Sequence, residues 1–112
     1  MGLINPVSSS LAGVTVTPTA VAASDTIAQS SLGAIGANLL VINGGGSPDT
    51  VAVSDAGRTD AGNAGTSSGS SVTNGTNKVF FISRFAADPT TGLVTVTHSF
   101  TTSVTCYLFP LG

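Results

Sequence analysis

A chain of 112 residues and 10.9 kDa supports one domain with a single modest core. Charged residues make up only 7% of it, against about 25% in an ordinary soluble domain, and the net charge is −2. The sequence has no basic stripe to displace counterions from a nucleic acid, no run of about 20 apolar residues to cross a bilayer, and one cysteine, too few for a disulfide framework or a cysteine metal site.

Residues 1–24 are rich in Ser, Thr, Ala, Val and Pro and carry no helical apolar stripe. Pro6 and Pro18 remove amide donors and bias the residues before them toward extended backbone. The segment reads as an extended arm with at most one edge strand, around residues 13–17, or as a disordered tail. The start also lacks the basic flank and apolar run of a secretory signal, which implies synthesis in the cytoplasm.

A folded domain is expected over residues 25–112. Residues 25–28 read as a short strand, followed by a loop over 29–37. Leu39-Leu40-Val41-Ile42 is a continuous apolar run between Asn38 and the turn formers Asn43-Gly44-Gly45-Gly46-Ser47-Pro48, a strand expected to be buried on both faces. Residues 50–54 alternate, with Val51 and Val53 on one side, and the glycine-rich turn predicts a wide hairpin between the two runs. Residues 55–71 hold Gly57, Gly62, Gly65 and Gly69 among small polar residues and read as a long loop.

Asn74-Gly75 signals a tight turn before a strand over 78–83, with Phe80 and Ile82 opposed to Val79 and Phe81. Asp88-Pro89-Thr90-Thr91-Gly92 is a second turn, in which Pro89 presets φ and Gly92 accepts a positive one. The clearest strand spans 93–100, with Val94, Val96, His98 and Phe100 sharing a face. After a turn at 101–103, a closing strand covers 104–109, and Pro110 ends it. Five to seven short strands, rich in β-branched residues and separated by Gly, Pro and Asn, predict an all-β fold: a small antiparallel β-sandwich or barrel with an extended N-terminal arm.

Catalytic chemistry finds little to stand on. His98 is the only histidine, and the nearest acid along the chain is ten residues away, so the simple reading is a half-buried ring with its hydrogen bonds met. Cys106 alternates with Val104 and Leu108 as a small core residue; pairing with His98 as a nucleophile would need neighbouring strands and an activating environment. Asp25, Asp49, Asp55, Asp60 and Asp88 are spread singly, without the spacing of a calcium loop. Gly44-Gly45-Gly46 lacks the following helix of a phosphate cradle. The expectation is therefore a non-enzyme with no cofactor and no metal.

What remains is surface. Ser and Thr supply roughly a quarter of the chain, so hydroxyls replace charges as solvating groups. An exterior of that kind repels its neighbours weakly and suits a protein that works packed against other protein. The apolar ends are the candidate docking residues: Leu3, Ile4, Pro6 and Val7 at one terminus, Phe109 and Leu111 with Leu108 and Pro110 at the other. The alternative is that both ends pack back on their own sandwich.

Several segments resemble a family of small virion proteins from tailed bacteriophages: Ala23-Ser24-Asp25-Thr26-Ile27, Val41-Ile42-Asn43-Gly44-Gly45-Gly46, Val72-Thr73-Asn74-Gly75-Thr76, Asp88-Pro89-Thr90-Thr91-Gly92-Leu93-Val94-Thr95-Val96-Thr97-His98-Ser99 and Ser103-Val104-Thr105-Cys106-Tyr107. From about residue 20 onward the chain is similar to capsid decoration, or cement, proteins of the kind found in phages of actinobacteria. The resemblance implies a β-rich protein on the outside of the expanded capsid that ties neighbouring capsomers together. Its partner would be the major capsid protein, at or near a threefold position, often with self-association as a trimer. No residue-level motif carries over, because contacts in that family follow surface shape. A head- or tail-associated module binding host surface glycans is the alternative, although exposed aromatic platforms are scarce and Tyr107 is the one tyrosine.

Overall fold

The computed structural model describes residues 2–7, 11–54, 68–88 and 90–111. In chain order the strands are β1 (Gly2–Leu3), β2 (Thr19–Ala20), β3 (Ser24–Ala28), β4 (Gly36–Asn43), β5 (Asp49–Val53), β6 (Ser68–Val72), β7 (Asn77–Ser83), β8 (Leu93–His98) and β9 (Val104–Leu111). They form a first sheet in the order β1-β3-β8-β5-β6 and a second in the order β2-β9-β4-β7. Every pairing is antiparallel except β1 with β3, and the result is a small β-sandwich.

Alternation along each strand builds the core. Asp25 and Ile27 point inward from β3, Ala37, Leu39, Val41 and Asn43 from β4, Asp49 and Val51 from β5, Val94, Val96 and His98 from β8, and Val104, Cys106 and Leu108 from β9. The shortest dimension of the molecule, 20 Å, is what two sheets about 10 Å apart occupy once each carries an outer layer of side chains. Full burial of a side chain such as Leu39 contributes about 1.5–3 kcal/mol.

The connections differ from the expected hairpins. β4 and β5 lie in different sheets, as do β6 and β7, so the glycine-rich loop and the Asn74-Gly75 turn both carry the chain across the sandwich. Asn43 holds both crossings. Its amide nitrogen donates to the carbonyls of Ser47 at 2.9 Å and Val72 at 3.0 Å, and its side-chain oxygen accepts from the Gly45 N–H at 3.0 Å. A side chain at Gly45 would strike the Phe100 ring and the Thr102 carbonyl, so the loop can lie this close only as glycine.

Three further expectations are corrected. β4 is buried on one face only, because Leu40 and Ile42 alternate outward and are half-buried. Pro110 does not end β9, which runs on to Leu111. The Leu108 carbonyl accepts from the Val7 N–H at 2.7 Å, so Leu108, and Pro110 by alternation, turn their backbone polar groups away from β4. The missing N–H at Pro110 therefore costs the β4–β9 ladder nothing. The expected loop over 55–71 lies outside the described residues as far as 67, but its end forms β6. That strand is Ser-Gly-Ser-Ser with only Val72 anchored in the core, and it is held by pairing with β5. The Asp88–Gly92 turn stands as expected, with Gly92 at φ +72° and its N–H donating to the Asp88 carbonyl at 2.7 Å; Pro89 lies outside the described residues.

The N-terminal arm is the largest correction. β1 pairs with β3, the Gly2 and Ala22 N–H groups donate to the buried Asp25 carboxylate at 3.1 and 2.9 Å, and Ile4 and Val21 belong to the core. The folded unit thus begins at Gly2 rather than near Asp25. No strand forms at 13–17; the pairing with β9 comes at Thr19–Ala20 instead.

Candidate interaction surface

The outward positions of the second sheet are where the candidate surface lies. Pairing places Val79, Leu40 and Tyr107 in one row across β7, β4 and β9, Phe81, Asn38 and Phe109 in the next, and Ser83, Gly36 and Leu111 in a third. Ile42 and Thr105 continue the face at the other end. Val79 and Phe81 are exposed, while Leu40, Ile42, Tyr107, Phe109 and Leu111 are half-buried against one another. The Tyr107 and Phe109 rings stack with centroids 5.9 Å apart and planes 21° apart. No charged residue occupies these rows. Gly36 keeps the face flat, since a side chain there would collide with the Ile82 carbonyl, and its φ of +147° suits glycine alone.

The structure divides the predicted docking residues. Phe109 and Leu111 lie on this face, Leu108 is buried beneath it, and Pro110 is half-buried within β9. Leu3 is 55% exposed at the edge of the first sheet. Pro6 is exposed and bridges to Leu108, and Val7 is half-buried. Ile4 is corrected: at 1% exposure it fills the core and offers nothing to a partner. Sequence reasoning missed Leu40, Ile42, Val79 and Phe81 as members of a face. The signal was present as alternation, but register across three strands was needed to read it.

The titratable groups are buried. His98 Nδ1 lies 2.6 Å from Asp49 Oδ2, both side chains are at 0% exposure, and Asp49 Oδ1 accepts the Phe100 N–H at 3.2 Å. His98 Nε2 is buried without a hydrogen-bond partner, which corrects the expectation of a half-buried ring with its bonds met. The 49 residues between the pair hid the contact in the sequence, although Asp49 alternates with Val51 as His98 does with Val96. An aspartate orienting an imidazole is the base half of a nucleophilic site. Here β8 and β9 lie in different sheets and no hydrogen bond joins His98 to Cys106. Burial pushes the Cys106 thiol up to about 11, and the Asp25 carboxylate adds to the rise, so the nucleophilic thiolate is disfavoured.

Gln29, Ser30, Leu32, Gly33, Ala34 and Arg84 line an open groove of about 360 Å³. Among the described residues no three His, Cys, Asp or Glu side chains are grouped to hold a metal ion, and no helix is long and apolar enough to cross a membrane. Compared with family models, curated proteins and solved structures, the chain matches none.

Proposed function

We propose that the protein is a structural virion component that binds the outside of a mature tailed-phage capsid and stabilises the shell by bridging neighbouring capsomers. The observation that carries this reading is the uncharged, partly aromatic outward face of the second sheet, on a chain with only 7% charged residues. An apolar face rimmed by hydroxyl groups fits a protein partner, here the major capsid protein. Many copies, each with one modest contact, hold a shell against internal pressure by multivalency. The resemblance of the segments between residues 23 and 107 to decoration proteins points the same way.

The test is binding to capsids in two states. Purified protein should bind expanded capsids and raise the temperature at which they release DNA, while leaving unexpanded procapsids unbound. Equal binding to both states, or to neither, overturns the reading. The stacked Tyr107 and Phe109 rings favour a second reading, since paired aromatic side chains can carry a sugar ring. Retention on host cell-wall polysaccharide, without capsid binding, would support that one.

A further inference from the structure

Among the described residues, the exposed large apolar side chains fall into two groups, with Leu3 apart on β1. Leu11, Val14 and Val16 belong to the segment 11–18, which is exposed along its whole length. Both of its anchors lie beside β9: the Val7 N–H bonds the Leu108 carbonyl before it, and β2 pairs with Thr105 and Cys106 after it. Ile35, Val79, Phe81 and Phe85 form the second group, on or beside β7, where the Arg84 N–H donates to the Ile35 carbonyl. In the order β2-β9-β4-β7 these groups stand at opposite edges of one sheet.

The β7 edge is chemically open. The Asn43 N–H bonds the Thr76 carbonyl, so by alternation Lys78, Phe80 and Ile82 direct their backbone groups to β4. Val79 and Phe81 turn theirs outward, where no described strand pairs with them. Edge strands are ordinarily guarded by charge, proline or a bulge. β7 has no proline, and its one charge is drawn aside: Lys78 Nζ lies 2.7 Å from Ser70 Oγ and 3.1 Å from the Ser71 carbonyl. At the other edge, Val14-Thr15-Val16-Thr17 has the alternation of a strand but belongs to none.

We infer that the segment 13–18 of one copy adds as a strand to the β7 edge of a second copy, laying Val14 and Val16 beside Val79 and Phe81. Six residues span about 20 Å and β7 about 23 Å, so the lengths match. The contact covers roughly 500 Å² on each partner, about 1,000 Å² in all, which reaches the floor for a specific interface. Donor and acceptor are different edges, so the association is head to tail and propagates into a ring or a fibre rather than a two-fold dimer. This self-association stands independently of the capsid reading.

Sedimentation velocity on the full chain over a wide concentration range tests it. The wild type should form species of at least three times the monomer mass. A Val14→Asp/Val16→Asp chain, which cannot donate, and a Val79→Pro chain, which cannot accept, should each stay monomeric. Proline is tolerated at an edge position whose N–H faces solvent. If Val79→Pro lowers the melting temperature, Phe81→Lys takes its place as the acceptor variant. An equimolar mixture of the two variants should stop at dimers, because one donor meets one acceptor. A wild type that stays monomeric or forms only two-fold dimers overturns the inference, as do single variants with wild-type mass. Capsid binding that persists while association fails would sink this inference alone.

Discussion

The two outward faces of the sandwich are built on the same alternation but carry opposite chemistry. On the first sheet, pairing sets Thr26 beside Thr95, Ser24 beside Thr97 and Thr50 beside Ser71, with Ala28 and Ala52 between them. On the second sheet the equivalent positions hold Leu40, Ile42, Val79, Phe81, Tyr107, Phe109 and Leu111. A row of hydroxyls meets water without charge and needs no partner. A row of aromatic and aliphatic side chains loses free energy for every exposed Å², about 25 cal/mol. The lesson is a division of labour, in which the first sheet keeps the molecule in solution and the second is available for adhesion, both resting on one shared core.

That division implies that changes to inward residues cost stability whichever sheet they sit on. The largest expected effect is at the polar centre of the first sheet. Asp49→Ala leaves the His98 ring and the Phe100 N–H buried without their acceptor. Breaking a buried pair from one side costs about 3–5 kcal/mol, which urea denaturation would read directly. A loss below about 1 kcal/mol would mean that the pair is not desolvated as the structure has it.

On the inward side of the second sheet, Cys106 makes stability depend on alkaline pH. The fold raises the thiol from 9.0 to about 11, so the native chain holds a proton that the unfolded chain releases. This contribution is complete below about pH 9 and is lost between pH 9 and pH 11, a fall of roughly 2–3 kcal/mol. Cys106→Ala should flatten that window relative to the wild type in urea titrations at stepped pH. Equal slopes for the two proteins would show that other groups carry the alkaline loss.

The comparison of faces itself is broken most directly by placing the same charge on each. Phe109→Asp should weaken capsid binding at least tenfold, about 1.4 kcal/mol, because a carboxylate must then be desolvated in the contact. Thr97→Asp, on the hydroxyl face, should leave binding within twofold. Titration of both variants against expanded capsids decides the matter; equal losses, or a loss only from Thr97→Asp, would reverse the assignment of the adhesive side.

Much of this architecture is legible in the sequence, and what is not has physical causes. Inward and outward residues on β4, β7, β8 and β9 follow from alternation alone, because a period of two is local. Strand partners do not. Gly44–Gly46 and Asn74-Gly75 report that the backbone reverses with positive φ or close approach, yet neither says whether the next strand joins the same sheet. β6 is invisible as Ser-Gly-Ser-Ser, since its pairing owes nothing to strand propensity. Ile4 looks like a sticky end because an apolar residue beside prolines reads alike whether it docks on a partner or on its own core. The His98–Asp49 pair and the assembled apolar face both depend on register between distant strands, which only the folded chain supplies.

The smallest expected effect separates the adhesive face from the turn that feeds it. Ser103 precedes β9, is exposed, and adopts φ +58°, a left-handed conformation that costs a residue with a Cβ about 1–2 kcal/mol. Its carbonyl accepts from the Gly44 N–H at 3.0 Å, so the conformation is held by the crossing loop rather than by the side chain. Ser103→Gly removes the steric cost but gives the unfolded chain more freedom, worth about 0.5–1 kcal/mol in the opposite direction. The balance is a gain of a few tenths to about 1 kcal/mol, seen as a small rise in melting temperature. Capsid binding should not change, because the hydroxyl lies outside the rows of the face. A variant that melts higher yet binds less would mean that adhesion depends on the rigidity of the turn as well as on the exposed side chains.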